Sequence, residues 1–333
     1  MKMIMMTDIQ EILYDKFKNL SPSAESDSFV VDTLDDQMPH RLGISSFWGP
    51  VLFVECIDNK MTTDINLKMF KVNFNRNCCL NDNDVIKNKK YCIIQLNSLN
   101  IDIQKYFLEL TYLILKRLPK QPSVEALKLE ISKIISLFTS SAQISKETIK
   151  GLWAELLVIL QSKDCEYMIK SWHESPEDKY DFNDCNDKIE IKSTGNESRT
   201  HHFAVEQLQP NEGSNLLVAS IVVLPSGLGL NVFDLVDKIA SKITDTDLFL
   251  KLKAIVIETI GGHIEETKSA KYDFEYAHSS IKWYNHTSIP CIKKEDIPEQ
   301  LSRVSFSVCM KEVKEYNGDI KSILFENANI AHH

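Results

Sequence analysis

The chain has 333 residues, 43% of them hydrophobic and 26% charged, which is ordinary for a globular protein and long enough for two or three domains with their own cores. No apolar run approaches the ~20 residues that a membrane span needs. The apolar start Met1–Met6 is short and lacks a small-residue cleavage site, so the sequence reads as a cytoplasmic chain without a signal peptide. With 38 Lys+Arg against 47 Asp+Glu, the formal charge of −9 argues against a protein that grips nucleic acid by itself, which usually carries a basic footprint.

In chain order, Asp8 starts a first helix with Ile9, Ile12, Leu13 and Leu20 on one stripe. Residues 29–96 are β-rich: Phe29–Val31, Arg41–Ser46, Pro50–Ile57, Phe70–Phe74 and Tyr91–Leu96 are short runs separated by Asn, Asp, Gly and Pro clusters. Helical spacing follows over 102–118, which Pro119 and Pro122 end, and again over 123–138 with Ser123 as its cap. Thr139–Ser145 is a polar seam and the expected domain boundary. The eight cysteines form no C-x-x-C pair, so they read as free thiols and a zinc site is not expected.

Ser145 caps a helix whose stripe is Ile149, Leu152, Trp153, Leu156, Leu157 and Leu160. At about 100° per residue Glu155 falls just off that stripe, able to reach a site beside the core. Strands are expected at 180–183, 188–194 and 201–206, then a buried strand at Leu216–Leu224. Pro225–Gly229 is expected to turn into a helix at Phe233–Ile243, with another near Leu248–Ile257 and a loop at Gly261-Gly262. Strands at Tyr272–His278, Ile281–Tyr284 and Val304–Val308 complete the chain. There is no phosphate-loop motif, G-x-S-x-G or H-E-x-x-H, which removes ATP hydrolysis and the common serine-hydrolase and zinc-protease routes.

The chemistry concentrates around position 190. Lys188-Ile189-Glu190-Ile191-Lys192-Ser193 alternates polar and apolar, the mark of a half-buried strand with Glu190 and Lys192 on one open face. Alone, such an E-x-K is usually a solvated charged face. Asp181 lies one hairpin away, on a segment able to pair antiparallel with it across Asn183–Asp187. Two carboxylates close enough to share a cation, with a lysine beside them, make a Mg²⁺ site next to a group that can hold an attacking water. Asp178, Asp184 and Asp187 read as turn formers. Trp153 and Trp172 read as core. Arg199, His201 and His202 either face substrate phosphate or belong to a strand that alternates in and out.

Glu155 on a helix, Asp181-Phe182, Glu190-x-Lys192-Ser193-Thr194, Arg199–His202 and Glu206-Gln207-Leu208, together with Gly151–Leu156 and Trp172, resemble the PD-(D/E)XK nuclease superfamily. More narrowly they resemble its members in prokaryotic restriction and phage-defence clusters. The resemblance is specific from about 145 to 224. The first half-motif reads Tyr180-Asp181 in place of Pro-Asp, which keeps the carboxylate and loses only a turn-favouring proline.

The resemblance implies an α/β protein: an N-terminal α+β domain (1–140) for DNA or partner contact, a restriction-endonuclease-like core of mixed sheet flanked by helices (141–245), and a C-terminal α/β portion (246–333). It implies a Mg²⁺-dependent DNA endonuclease, Mn²⁺ being able to substitute. Asp181 and Glu190 would bind the ion with the Ile191 carbonyl. Glu155 would bind a second ion or orient a water, Lys192 would position the nucleophile, and Gln207 would face the site. Expected partners are DNA, methyltransferase or ATPase subunits of a defence complex, and a second copy of the chain. The alternative is a nuclease fold that no longer cuts and serves as scaffold or DNA sensor. Residues 141–235 carry 8 Lys+Arg against 15 Asp+Glu, whereas 87–133 carry 9 against 4, so any DNA grip is expected on the N-terminal part.

Overall fold

Three sheets organise the described residues, a six-stranded one in the unit 1–141 and a four-stranded and a two-stranded one in the unit 142–333. The computed structural model describes residues 8–330 except 24–27, 61, 68, 83–84, 140–144, 175–177, 262, 299 and 319. Among the described residues no helix is long and apolar enough to cross a membrane.

The first unit begins with α1 (Asp8–Lys18) and continues with β1 (Ser28–Thr33), β2 (Arg41–Ile44), β3 (Pro50–Val54), β4 (Ile65–Asn66), β5 (Phe70–Asp82) and β6 (Val85–Leu96). Alternation along Phe70-Lys71-Val72-Asn73-Phe74 buries the apolar members and sets the register of the long β5–β6 hairpin. β1 pairs antiparallel with β2 and parallel with β5, so the sheet closes on itself around Val31, Val51, Phe53, Leu80 and Tyr91. Two helices follow, α2 (Ile101–Arg117) and α3 (Val124–Thr139). The Asn100 side chain caps α2 by accepting from the N–H groups of Asp102 and Ile103, and Ser123 Oγ accepts from Ala126 N–H at 3.2 Å at the start of α3. α1 packs on α2. Part of the basic character of 87–133 is neutralised locally: Lys87 pairs with Asp82 at 2.8 Å, Lys89 with Glu55 at 3.4 Å and Lys116 with Asp35 at 3.1 Å.

The second unit opens with α4 (Lys146–Gln161), capped by Ser145 as its sequence predicts, and α5 (Cys165–Ser171), a short helix that the sequence reading did not separate. Then come β7 (Phe182–Asn183), β8 (Lys188–Thr194), β9 (Thr200–Ala204), a 3₁₀ turn at Val205–Leu208 and β10 (Leu216–Val222). The chain continues through β11 (Pro225–Leu230), α6 (Val232–Ala240), α7 (Thr246–Ile260), α8 (Ile264–Ser269), α9 (Phe274–Ser279), β12 (Lys282–Asn285), β13 (Ser305–Cys309) and α10 (Ile323–Asn327). The main sheet runs β12-β10-β8-β7, with β10 and β8 parallel and both outer pairings antiparallel; β13 pairs with β9 separately. α4 packs against β8 and α6. Phe203, Leu208, Val218, Tyr284, Val308 and Met310 form a core cluster around β9, β10, β12 and β13.

Several expectations are corrected. β8 is not half-buried: it lies inside the sheet, and Lys188, Ile189, Glu190 and Ile191 are all buried. A strand with a parallel neighbour is normally covered on both faces. Pro225–Leu230 is a strand, not a turn into a helix, and α6 starts only at Val232 behind the Asn231 cap. Tyr272–His278 is not a strand. Asp273 accepts from Tyr276 N–H at 3.0 Å and starts α9, leaving Tyr272 to bridge Pro225 and Leu230. Residues 246–333 share a unit with 142–245, and β12 completes the same sheet as β8 and β10. The polar seam at 140–144 and Gly262 lie outside the described residues.

Candidate active site

The β7–β8 hairpin is made by its turn chemistry. Asp184 Oδ1 accepts from the N–H groups of Asn186 and Asp187 at 3.0 and 2.8 Å, and Asn183 Oδ1 accepts from Cys185 N–H at 2.9 Å. Asp187 Oδ1 takes both N–H donors of Asn215, tying the turn to the start of β10. These aspartates are structural, as their sequence context predicts. Backbone pairing stops after Phe182↔Ile189, and beyond it the Asp181 side chain takes over: its Oδ2 accepts from Ile191 N–H at 2.5 Å. Asp181 is thereby fastened to the strand that carries Glu190 and Lys192.

Glu190 is 3% exposed. Its Oε1 accepts from Lys192 Nζ at 2.7 Å and from Gln207 Nε2 at 2.7 Å. Gln207 Oε1 in turn accepts from Lys192 Nζ at 3.1 Å and from Ala204 N–H at 3.1 Å. Gln207 therefore sits in the 3₁₀ turn after β9 and holds both charged residues of β8 at once. Lys192 Nζ also lies 5.1 Å from the centroid of the Phe203 ring.

Glu155 reaches the same place from α4. Its Oε2 accepts from Trp172 Nε1 at 2.7 Å and lies 3.1 Å from His173 Nε2. The ligand atoms of Glu155, His173 and Asp181 all lie within 4.8 Å of one another. This set differs from the sequence expectation, which paired Asp181 with Glu190 and made Glu155 secondary. The physical reason is visible: Lys192 and Gln207 draw Glu190 Oε1 to their side, and Glu190 adjoins the tight group instead of joining it. His173 escaped the sequence reading. Only the Trp172↔Phe182 bridge and the bond from His173 N–H to Asp181 O at 2.9 Å bring it there, and neither leaves a periodic signal.

The electrostatics are those of a site lacking positive charge. Desolvation, then repulsion from Glu190 and Glu155, holds the Asp181 carboxyl well above the usual carboxylate range. Desolvation also raises Glu190, against the opposing pull of Lys192. Glu190 Oε2, His173 Nδ1 and the Tyr180 hydroxyl are buried without a hydrogen-bond partner among the described residues. Buried polar groups are nearly always satisfied. Carboxylate oxygens, an imidazole nitrogen and an orphaned acceptor make up a donor set that fits a divalent cation.

Arg199 and His201 are placed elsewhere. Arg199, in the left-handed region at φ 49°, is buried and donates to Ser220 O, Ser220 Oγ and Ser280 O at 2.7, 3.1 and 2.7 Å. His201 Nε2 lies 2.7 Å from Ser220 Oγ, and burial together with the Lys192, Arg199 and Lys150 charges lowers its pKa to about 4. His201 points in and His202 is exposed on the other face. Trp153 and Trp172 are core residues.

Searches of curated proteins and of solved structures return no match for this chain. The sequence pattern of a family described as "Putative PD-(D/E)XK family member, (DUF4420)" matches residues 15–311, nearly the whole length, and the chain belongs to this PD-(D/E)XK family.

Proposed function

We propose that this chain is a Mg²⁺-dependent endonuclease that hydrolyses DNA phosphodiester bonds in the cytoplasm, as a subunit of a restriction or phage-defence system. The observation that carries the reading is the convergence of Glu155 and Asp181, with the buried Glu190 adjoining them on β8 beside a lysine fixed by Gln207. Asp181, Glu190, the Ile191 carbonyl and Glu155 are the groups that would hold the cation. When bound, the ion supplies Lewis-acid stabilisation of the charge that builds on the phosphoryl oxygens. Lys192 holds the water nucleophile by hydrogen bonding and favours its deprotonated form through its charge. Gln207 fixes the Lys192 ammonium, and α4 together with the Trp172 indole fixes Glu155.

The net charge of −9 and the local pairing of Lys87, Lys89 and Lys116 favour a partner, of methyltransferase or ATPase type, that brings the DNA. The competing reading, a non-cutting scaffold or DNA sensor, shares the acidic charge but gives the Glu190–Lys192–Gln207 network no work. Plasmid cleavage by the full chain with Mg²⁺ or Mn²⁺, with and without co-purifying partners, separates the two. Cleavage that disappears in Lys192→Met supports the nuclease. Metal binding at Asp181 without cleavage under any of these conditions supports the scaffold.

A further inference from the structure

His173 stands out in the second unit because its position is dictated by backbone pairing while its ring has a free function. The Trp172↔Phe182 bridge and the bond from His173 N–H to Asp181 O place it opposite Asp181. The side chain is only 10% exposed. Nε2 lies 3.1 Å from Glu155 Oε2, close to the ~3.0 Å edge between two ligands held at right angles by one ion at ~2.1 Å. An ion shared with Glu155 would therefore take Nε2, in the tautomer that carries its proton on Nδ1, an atom buried without a hydrogen-bond partner among the described residues. A second, independent orphan points the same way: Glu190 is 3% exposed and its Oε2 finds no partner among the described residues.

We propose that His173 supplies an imidazole nitrogen to the ion held by Glu155 and Asp181, making this a mixed nitrogen–oxygen site that selects a first-row transition ion such as Mn²⁺ over Mg²⁺. Mg²⁺ prefers an all-oxygen shell and keeps much of its water. Imidazole favours the first-row transition ions over Mg²⁺, with Mn²⁺ the weakest binder of that series. The inference rests on the metal reading of the preceding subsection and sharpens it, since it replaces Mg²⁺ as the preferred ion.

The test uses the metal-stripped full chain and two variants, His173→Gln and Asp181→Asn, with calorimetric titration of Mn²⁺ and Mg²⁺ and electron spin-echo modulation of the Mn²⁺ complex. The expected result is nitrogen modulation in the parent that disappears in His173→Gln. Mn²⁺ affinity should fall about tenfold in that variant, with a much smaller change for Mg²⁺. If Mn²⁺ binds, is lost in Asp181→Asn and shows no nitrogen modulation, His173 is not a ligand and the inference fails while the proposed site stands. Equal losses of Mn²⁺ and Mg²⁺ in His173→Gln would overturn the selectivity. Mn²⁺ binding that neither variant alters, or no binding at all, overturns both the inference and the proposed site.

Discussion

Two buried polar clusters of the second unit, both in contact with β8 or β10, have been resolved in opposite ways. Around Ser220, a guanidinium, an imidazole and a hydroxyl satisfy one another and nearby carbonyls. Around Asp181, three carboxylates crowd together, and Glu190 Oε2, His173 Nδ1 and the Tyr180 hydroxyl have no hydrogen-bond partner among the described residues. A satisfied network specifies and rigidifies a core. An unsatisfied one stores electrostatic strain that a ligand can release. Burial does not distinguish the two clusters; the sign of their charge and the completeness of their hydrogen bonding do.

The sharpest way to break this comparison is to remove chemistry from the unsatisfied cluster. Asp181→Asn and Lys192→Met should each lower metal-dependent cleavage by about 10³-fold or more, with circular dichroism unchanged because neither side chain fills the apolar core. Parent-level cleavage by either variant would end its assignment. Arg199→Ala should do the reverse. Leaving Ser220 O, Ser220 Oγ and Ser280 O without their donor should cost about 2–4 kcal/mol, read as a lower denaturation midpoint, while the protein that remains folded binds Mn²⁺ as before.

Changing pH should move the two clusters in opposite directions. Asp181 and Glu190 have raised carboxyl pKa values, so their stability is fully present at low pH and is lost as pH rises through the raised values. The metal-free protein should therefore weaken on their account as pH rises above the ordinary carboxylate range. Glu190→Gln should abolish part of that loss, read as a flatter fall of the melting temperature with rising pH than in the parent. His201 is held at a pKa of about 4, below its ordinary value, so it stabilises the fold above pH 6.5 and loses that contribution as pH falls toward 4. By pH 5 the loss is about 2 kcal/mol, and His201→Gln should remove it. A melting profile that keeps its acid limb in His201→Gln would show that another group is responsible. The smallest expected effect lies in the first unit: Lys90→Ala with Lys120→Ala should leave duplex binding by the isolated chain, and its salt slope, unchanged if a partner supplies the grip. A slope that falls by about one unit per lysine removed would place phosphate contacts there instead.

Much of this architecture was legible because long periodic segments overrule their neighbours. α2, α4 and α7 carry strong apolar stripes, and Leu216–Val222 is apolar throughout. The spacing Asp181, Glu190, Lys192, Gln207, with Glu155 on the preceding helix, drew attention to residues that the fold does bring together. Short elements were not legible. Tyr272-Asp273-Phe274-Glu275-Tyr276 alternates as a strand would, yet Asp273 captures Tyr276 N–H and a helix starts. Pro225–Leu230 carries turn residues but runs extended beside Tyr272. His173 depended on a single bridge after a seven-residue helix, too little for any period to register. Alternation on β8 predicts an open face for Glu190, whereas that face is covered by the following strand β9 and the turn bearing Gln207, a tertiary contact that leaves no mark on the period of β8 itself.

The pairing of β12 with β10 has a consequence during synthesis. β10 is buried along its whole length, but its outer partner is not made until residues 282–285, and β9 waits for its own partner until residues 305–309. A ribosome adding 5–20 residues per second needs roughly 3–13 s to travel from the end of β10 to the end of β12. Throughout that interval the nascent chain exposes an apolar strand edge of the kind that seeds aggregation. The turn that bears Gln207 likewise waits for residue 304, since Val205 N–H donates to Val304 O. Chains terminated before residue 282 should therefore be prone to aggregate.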